Sequence, residues 1–351
     1  MRVPFPEFPF SAKKIIVFVP RSDYLNYLLL KFRDVFKDDV ELTYSEDYIS
    51  FEMAFDEFID LSISTQEFTE MEMHKLMILP LDQNETFSLK SLKKMRPLQY
   101  WIDLRKAEGL KFILENETLV TYFQPIVNCV AGEIVMYECL SRGFDKDGKM
   151  ISPQPLFELA ESLNVFLELN RLAVTKALEK AKIKNVEKPI CINFPPEALL
   201  DPDFVYREIA NHLENLGMKP EQIIFEITEQ KTGIEYVESF VIKTLQEKGI
   251  KIAIDDAGNG FSSLRRLTEL KPDIIKIDMN LIRDVDKNRL KRYMVEALFS
   301  AGSKSGAKVI AEGVETIEEY KTLRHLGVEL MQGFLFAKPE PDPVQSVHLP
   351  L

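Results

Sequence analysis

Asp255 and Asp256 stand side by side in the run Lys251-Ile-Ala-Ile-Asp-Asp-Ala-Gly-Asn-Gly260. A short apolar strand is read there, ending in two carboxylates and followed by the flexible Gly258-Asn-Gly260 turn. Adjacent strand residues point to opposite faces, so both acids reach one site only where the strand is ending. Two acids so placed repel each other unless a proton or a cation lies between them. Other strand-like runs end in polar residues too. Glu138, Asn193 and Glu226 lie near three such ends, Lys276 and Asp278 flank another, Glu312 follows the next, and Gln332 lies in the last. Oxygen donors of this hardness suit Mg²⁺ or Mn²⁺, with Ca²⁺ less suited to catalysis. The chain has four histidines, none at a strand end or in a metal-ligand pair, which argues against imidazole-rich zinc or iron chemistry. Singly, each residue has an ordinary reading: a solvated glutamate, an Asx turn at Asn193, a surface pair of Lys276 with Asp278. The set carries the signal.

The elements that must position this set are regular. Strands are predicted at Thr121 to Val127, Glu133 to Leu140, Pro189 to Phe194, Ile223 to Ile227, Lys251 to Asp255, Ile274 to Ile277, Lys308 to Ala311 and Leu330 to Leu335. Helical periodicity separates most of them, at Pro155 to Leu163, Arg171 to Lys182, Asp203 to Leu216, Glu235 to Lys248, Leu290 to Ser305 and Ile317 to Leu326. Eight short strands in mostly βα alternation fit one (β/α)8 barrel, whose strand ends converge on one mouth. A doubly wound open sheet is the alternative.

The first hundred or so residues differ. Lys14 to Val19 reads as a buried strand, Asp23 to Phe36 as an amphipathic helix, and Val40 to Tyr44 and Lys75 to Leu79 as further strands. A helix through Trp101 to Leu114 leads into the regular part. From Asp38 to Glu72 there are twelve acids and no Lys or Arg. The functional reading is an acidic partner surface; the simpler one is the solvated face of a small α/β domain. Residues 1–105 are therefore taken as an N-terminal α/β domain, regulatory or interacting, and 106–345 as the barrel.

Bulk properties agree with a globular protein. Of the 351 residues 46% are hydrophobic and 28% charged, and the net charge is −12. That charge argues against DNA or an anionic membrane as partner, though not against a small anion held through bound cations. Cys129, Cys139 and Cys191 show no paired spacing, which points to reduced thiols. The apolar stretches are too short to span a bilayer and the start lacks a signal peptide's order, so a cytoplasmic location is expected.

In order along the chain, Phe123-Gln-Pro-Ile-Val127, Glu138-Cys-Leu-Ser-Arg142, Ile192-Asn-Phe194, Phe225-Glu-Ile-Thr-Glu229, Asp255-Asp-Ala-Gly-Asn-Gly-Phe-Ser-Ser-Leu264, Lys276-Ile-Asp278, Ala311-Glu-Gly-Val-Glu315 and Gln332-Gly-Phe334 resemble the motifs of the EAL domain. That family hydrolyses the bacterial second messenger cyclic di-GMP, and the likeness covers about Leu110 to Pro339.

The resemblance implies a TIM-like barrel of EAL type and a phosphodiesterase that opens cyclic di-GMP to linear 5′-pGpG with two divalent cations, Mg²⁺ or Mn²⁺, Ca²⁺ inhibiting. It implies metal ligands at Glu138, Asn193, Glu226, Asp255, Asp256 and Glu312. Lys276 matches the lysine that orients the attacking water, Glu229 the glutamate that anchors the loop after strand five, and Gln332 a polar residue of the catalytic pocket. Gln124, Arg142 and Asp278 match substrate-holding positions, and a homodimer through this domain is implied. The likeness departs at Cys139 for the name-giving alanine, at Ala257 and Asn259 in the loop after the paired aspartates, and at Phe123 for tyrosine. A domain that binds cyclic di-GMP or docks partners without cleaving it is the competing reading. Another Mg²⁺-dependent barrel enzyme would need the ordered motifs to be coincidence.

Overall fold

The computed structural model describes residues 5–37, 39–195, 198, 204–228, 235–258 and 269–349. The chain divides into two compact units, residues 1–116 with 144–166, and residues 117–143 with 167–351.

In the first unit β1 (Ala12–Phe18), β2 (Thr43–Tyr44), β3 (Tyr48–Glu52), β4 (Met77–Asp82) and β5 (Arg96–Pro97) form an antiparallel sheet in the order β2-β3-β1-β4-β5. Its helices are α1 (Leu25–Phe36), α2 (Phe55–Thr65), α3 (Glu70–Lys75), α4 (Leu98–Lys106) and α5 (Glu108–Asn116). Phe51 of β3 meets Phe32 and Phe36 of α1 and Phe58 of α2 ring to ring, so this face of the sheet carries the core. Strand alternation then turns Lys14, Ile16, Ser50 and Glu52 to the other face. Within the acidic run lie β3 and α2, elements the sequence reading did not resolve. Phe55, Phe58, Ile59 and Ser62 form the buried stripe of α2 at helical spacing, and Asp56 and Glu57 lie in its first turn, where the helix dipole favours acids. The single helix expected over Trp101 to Leu114 is two, because the turn at Ala107 closes onto the Leu104 carbonyl. The excursion carrying β8 (Met150–Ile151) and α6 (Pro153–Ser162) belongs to this unit as well.

The second unit is a closed barrel. Its strands are β6 (Leu119–Asn128), β7 (Glu133–Phe144), β9 (Ile190–Asn193), β10 (Ile223–Thr228), β11 (Lys251–Ala257), β12 (Ile274–Ile277), β13 (Lys308–Ala311) and β14 (Leu330–Met331). They run in the order β6-β14-β13-β12-β11-β10-β9-β7, and the β6–β7 pairing closes the ring, which decides against an open sheet. All neighbours are parallel except those of β6, which runs antiparallel to β7 and β14. Helices α7 (Phe166–Ile183), α8 (Ile209–Leu216), α9 (Glu235–Glu247), α10 (Met279–Ile282), α11 (Arg289–Ser305) and α12 (Ile317–His325) fill the connections.

Ile126, Met136, Cys191, Ile224, Ala253, Ile274, Ile310 and Leu330 form one buried apolar cluster. Each of the eight strands supplies one of them, so this is the layer that fills the barrel. A second cluster, including Cys139, Ile192, Phe225 and Ile254, gathers the alternate strand residues with those of α7, α8 and α9. Cys139 therefore packs outward, and burial raises its thiol pKa well above the ordinary value.

Candidate active site

Two residues beyond each member of the apolar layer stands a polar one: Glu138, Asn193, Glu226, Asp255, Lys276, Glu312 and Gln332. On the antiparallel β6 the corresponding step runs backwards, to Gln124. A strand repeats its face every second residue, so these eight side chains form the next layer up, at the barrel mouth.

Asp256 breaks the alternation. The register between β11 and β12 shifts between Ile254 and Ala257, where two residues of β11, Asp255 and Asp256, oppose one of β12, Lys276. The shift is a bulge, and Asp256 has a left-handed φ of 57°. Asp255 and Asp256 thereby offer carboxylate oxygens that lie, with one of Glu312, within 4.8 Å of one another. The strand does not end at Asp255, as expected from sequence; it continues to Ala257, whose carbonyl accepts from the Asp278 N–H at 3.3 Å. Ala257 itself is buried against Ile275 and Ala307.

Lys276 is the centre of the layer. Its Nζ lies 2.6 Å from Glu312 Oε1, 2.7 Å from Glu226 Oε1, 3.2 Å from Asp255 Oδ1 and 3.8 Å from Glu138 Oε1. Burial opposes its charge, but the surrounding carboxylates outweigh that and hold its pKa well above the ordinary lysine value. One ammonium does not balance four carboxylates. Burial, then crowding by Glu138 and Asp255 against the relief from Lys276, pushes Glu226 up to about 8. Burial, then the charge of Asp255 and a hydrogen bond with Asp278, pushes Asp256 up to about 6. Glu226 Oε2 is buried without a partner, and the buried Glu226 Oε1 and Asp255 Oδ1 meet only the Lys276 ammonium they share with Glu312. Buried carboxylate oxygens that share one ammonium, in a set of hard oxygen ligands, fit a divalent cation.

Gln332 ties the layer together across the β6–β14 seam. Its amide donates to Glu138 Oε2 at 2.5 Å and to Gln124 Oε1 at 3.0 Å, while the Gln124 amide donates to the Ala337 carbonyl at 3.2 Å. Asp278 caps α10 by accepting from the Asn280 N–H at 2.9 Å. Arg142 stands apart, four residues beyond Glu138 on β7, its guanidinium 5.4 Å from the Tyr122 ring centroid. Glu229 and Asn259 lie outside the described residues.

Gly333 was not singled out from sequence, yet it is needed for this arrangement. A Cβ there would lie 2.0 Å from the Val314 carbonyl oxygen and 2.4 Å from its nitrogen. This closeness lets Val314 N–H donate to Gln332 O at 3.0 Å, alongside Gln332 N–H to Ala311 O at 2.9 Å. The strand predicted to Leu335 stops at Met331 for the same reason, as the chain folds onto the residues after Glu312. The only sequence signal is a glycine directly after Gln332 and another directly after Glu312.

A closed mixed barrel with an acid-lined mouth around a buried lysine defines a class of barrel protein whose mouth residues fit divalent cations. The family model for the EAL domain matches residues 103–339, and the chain belongs to that family. It is 32% identical over 247 residues to the cyclic di-GMP phosphodiesterase PdeR of Escherichia coli K12, covering 69% of this chain and 36% of that protein. It is 32% identical over 245 residues to the probable cyclic di-GMP phosphodiesterase PdeI of the same organism, covering 67% and 31%. The chain thus spans about a third of the length of these relatives. Among solved structures, a standalone EAL protein from Vibrio cholerae O395 in its c-di-GMP-bound form is 29% identical, with a TM-score of 0.58 over 66% of this chain and 95% of that one. The PaMucR phosphodiesterase in complex with c-di-GMP is 28% identical, with a TM-score of 0.61 over 70% and 98%.

Proposed function

We propose that this chain is a cyclic di-GMP phosphodiesterase that opens one of the two phosphodiester linkages to give linear 5′-pGpG. The observation that carries the reading is the convergence of Glu138, Asn193, Glu226, Asp255, Asp256, Lys276 and Glu312 at one barrel mouth. The five acids and one amide of that set would hold two divalent cations, Mg²⁺ or Mn²⁺, with Ca²⁺ as an inhibitor. Bound there, such ions supply neutralisation of the phosphate charge and a water of lowered pKa.

The chain's own residues do the rest. Lys276 positions the attacking water, and a neighbouring carboxylate receives its proton. The water oxygen joins phosphorus as the P–O3′ bond breaks, and the departing 3′ oxygen takes up a proton. Gln332 holds Glu138 and Gln124 in register. Gln124, Asp278 and Arg142 hold the substrate, the planar guanidinium suiting a pair of phosphate oxygens. Glu229 is proposed to anchor the loop after β11.

We assign catalysis to residues 106–345 and regulation to residues 1–105, in a cytoplasmic protein. Among the described residues no helix is long and apolar enough to cross a membrane. The test is incubation with cyclic di-GMP and Mg²⁺ or Mn²⁺, with chromatography for product. Appearance of pGpG supports the reading. Binding of the intact dinucleotide without turnover would favour a receptor in its place, and neither would overturn both.

A further inference from the structure

The face of the first unit's sheet turned away from the helices holds a cavity of about 680 Å³. Its floor is a ladder of three register pairs across β1 and β3: Lys14 with Glu52, Ile16 with Ser50, and Phe18 with Tyr48. The rungs grade from charged, through small, to aromatic. The small rung makes the depression, because Ser50 leaves open the space that a larger strand residue would fill.

Two further observations point to a ligand. Ser50 is only 8% exposed, and alternation with the core residues Ile49 and Phe51 turns its side chain to the cavity face. Its hydroxyl makes no hydrogen bond among the described residues, so a donor and acceptor stands open to the cavity there. At the aromatic end Phe87 comes over from another segment, its ring 6.5 Å from that of Phe18, although Phe87 is itself 55% exposed. The walls also carry Asp39 and Glu41, so three carboxylates with Glu52 face one ammonium, Lys14.

We infer that this cavity binds a small planar aromatic molecule bearing an amine or other cationic group. The volume lies within the ordinary range for small-molecule sites. Phe18, Tyr48 and Phe87 offer ring surface to an aromatic system, and ring faces and the acidic wall both favour positive charge. The Ser50 hydroxyl supplies the directional contact, and an anionic aromatic of similar size meets like charge.

The test uses the full chain with excess Mg²⁺ present to compete for the barrel acids. Proflavine, a planar cationic fluorophore, is titrated against it, with the anionic 8-anilinonaphthalene-1-sulfonate as charge control. One equivalent of proflavine binds saturably and more tightly than the anionic dye. Ser50→Trp, which fills the depression, weakens proflavine at least tenfold. The exposed double variant Glu41→Lys/Glu52→Lys does the same and takes up the anionic dye instead. Equal or preferential binding of the anionic dye by the unaltered chain overturns the inference, as does proflavine binding that does not saturate at one equivalent. Proflavine binding unchanged in folded Ser50→Trp places the site elsewhere. Should that variant fail to fold by circular dichroism, the double variant decides, and unchanged binding there overturns the cationic class.

Discussion

At the scale of single residues, Lys276 occupies the place where positive charge is most needed. Its ammonium lies against four carboxylates, three of them within 3.2 Å. Removing one partner of a buried ion cluster leaves uncompensated charge and costs about 3–5 kcal/mol. Lys276→Met is expected to destabilise the metal-free barrel by that order, and Mg²⁺ to restore part of it by binding the native state. Thermal unfolding with and without Mg²⁺ checks this, and an Mg²⁺-induced rise no larger than that of the unaltered chain contradicts it. Turnover in the same variant is expected to fall at least ~100-fold, the scale of a lost proton-transfer or positioning group. Glu138→Ala should lose turnover comparably, because it removes a carboxylate from the cluster and the acceptor that orients Gln332. Retained Mg²⁺-dependent turnover in either variant would remove that residue from the proposed machinery.

At the scale of elements, two features join chain segments far apart in sequence. Gly333 lets the end of β14 lie against Val314. Gly333→Ala forces backbone to move, with an expected cost of about 2–4 kcal/mol and loss of the Gln332 alignment. Gly306→Ala, with φ +88° but open space around its Cβ, should cost only ~1 kcal/mol from its backbone conformation. Chemical denaturation of the two variants gives the comparison, and equal costs would exclude the steric account. In the first unit Glu72 joins α3 to α1. It accepts from Lys31 at 2.8 Å, from the Tyr24 hydroxyl at 2.6 Å and from the Thr69 N–H at 2.7 Å. Burial alone would raise its pKa, but those donors outweigh it and bring it from 4.5 to about 2. A carboxyl lowered on folding stabilises fully above its unfolded value, and that stability is lost as pH falls from about 4.5 towards 2. Glu72→Gln should therefore cost about 2 kcal/mol at neutral pH and flatten the acid limb in that window. The single tryptophan, Trp101, belongs to this unit and reports its acid unfolding. An unaltered acid limb in the variant would rule out the pair's contribution.

For the whole molecule, the outer face of α11 exposes Leu290, Tyr293 and Met294 at helical spacing. Three large apolar side chains on one stripe suit a second copy of this domain, in keeping with the homodimer that the family resemblance implies. Leu290→Glu with Tyr293→Glu is expected to shift the sedimentation coefficient to that of a 40.5 kDa monomer. An unaltered chain that already sediments as a monomer would dispose of the dimer, and an undissociated double variant would move its interface elsewhere.

Strand periodicity is a local property, and it was legible in the sequence alone. An apolar residue followed two positions later by Glu138, Asn193, Glu226, Asp255, Lys276, Glu312 or Gln332 marks one face of one strand, wherever that strand lies. Elements in the acidic run were harder to see, since α2 and β3 declare themselves by packing their phenylalanines on α1, a contact between distant segments. Convergence of the strand ends was likewise not local. Only ring closure through the antiparallel β6 brings eight polar residues into one layer, and only the bulge at Asp256 turns a second aspartate to the same side. The four partners of Lys276, the backbone contact that requires Gly333 and the cavity over Ser50 all depend on segments meeting across long stretches of chain. Sequence determined which side chains each strand could present; tertiary structure decided which of them meet, because their distances are set by closure and register rather than by spacing along the chain.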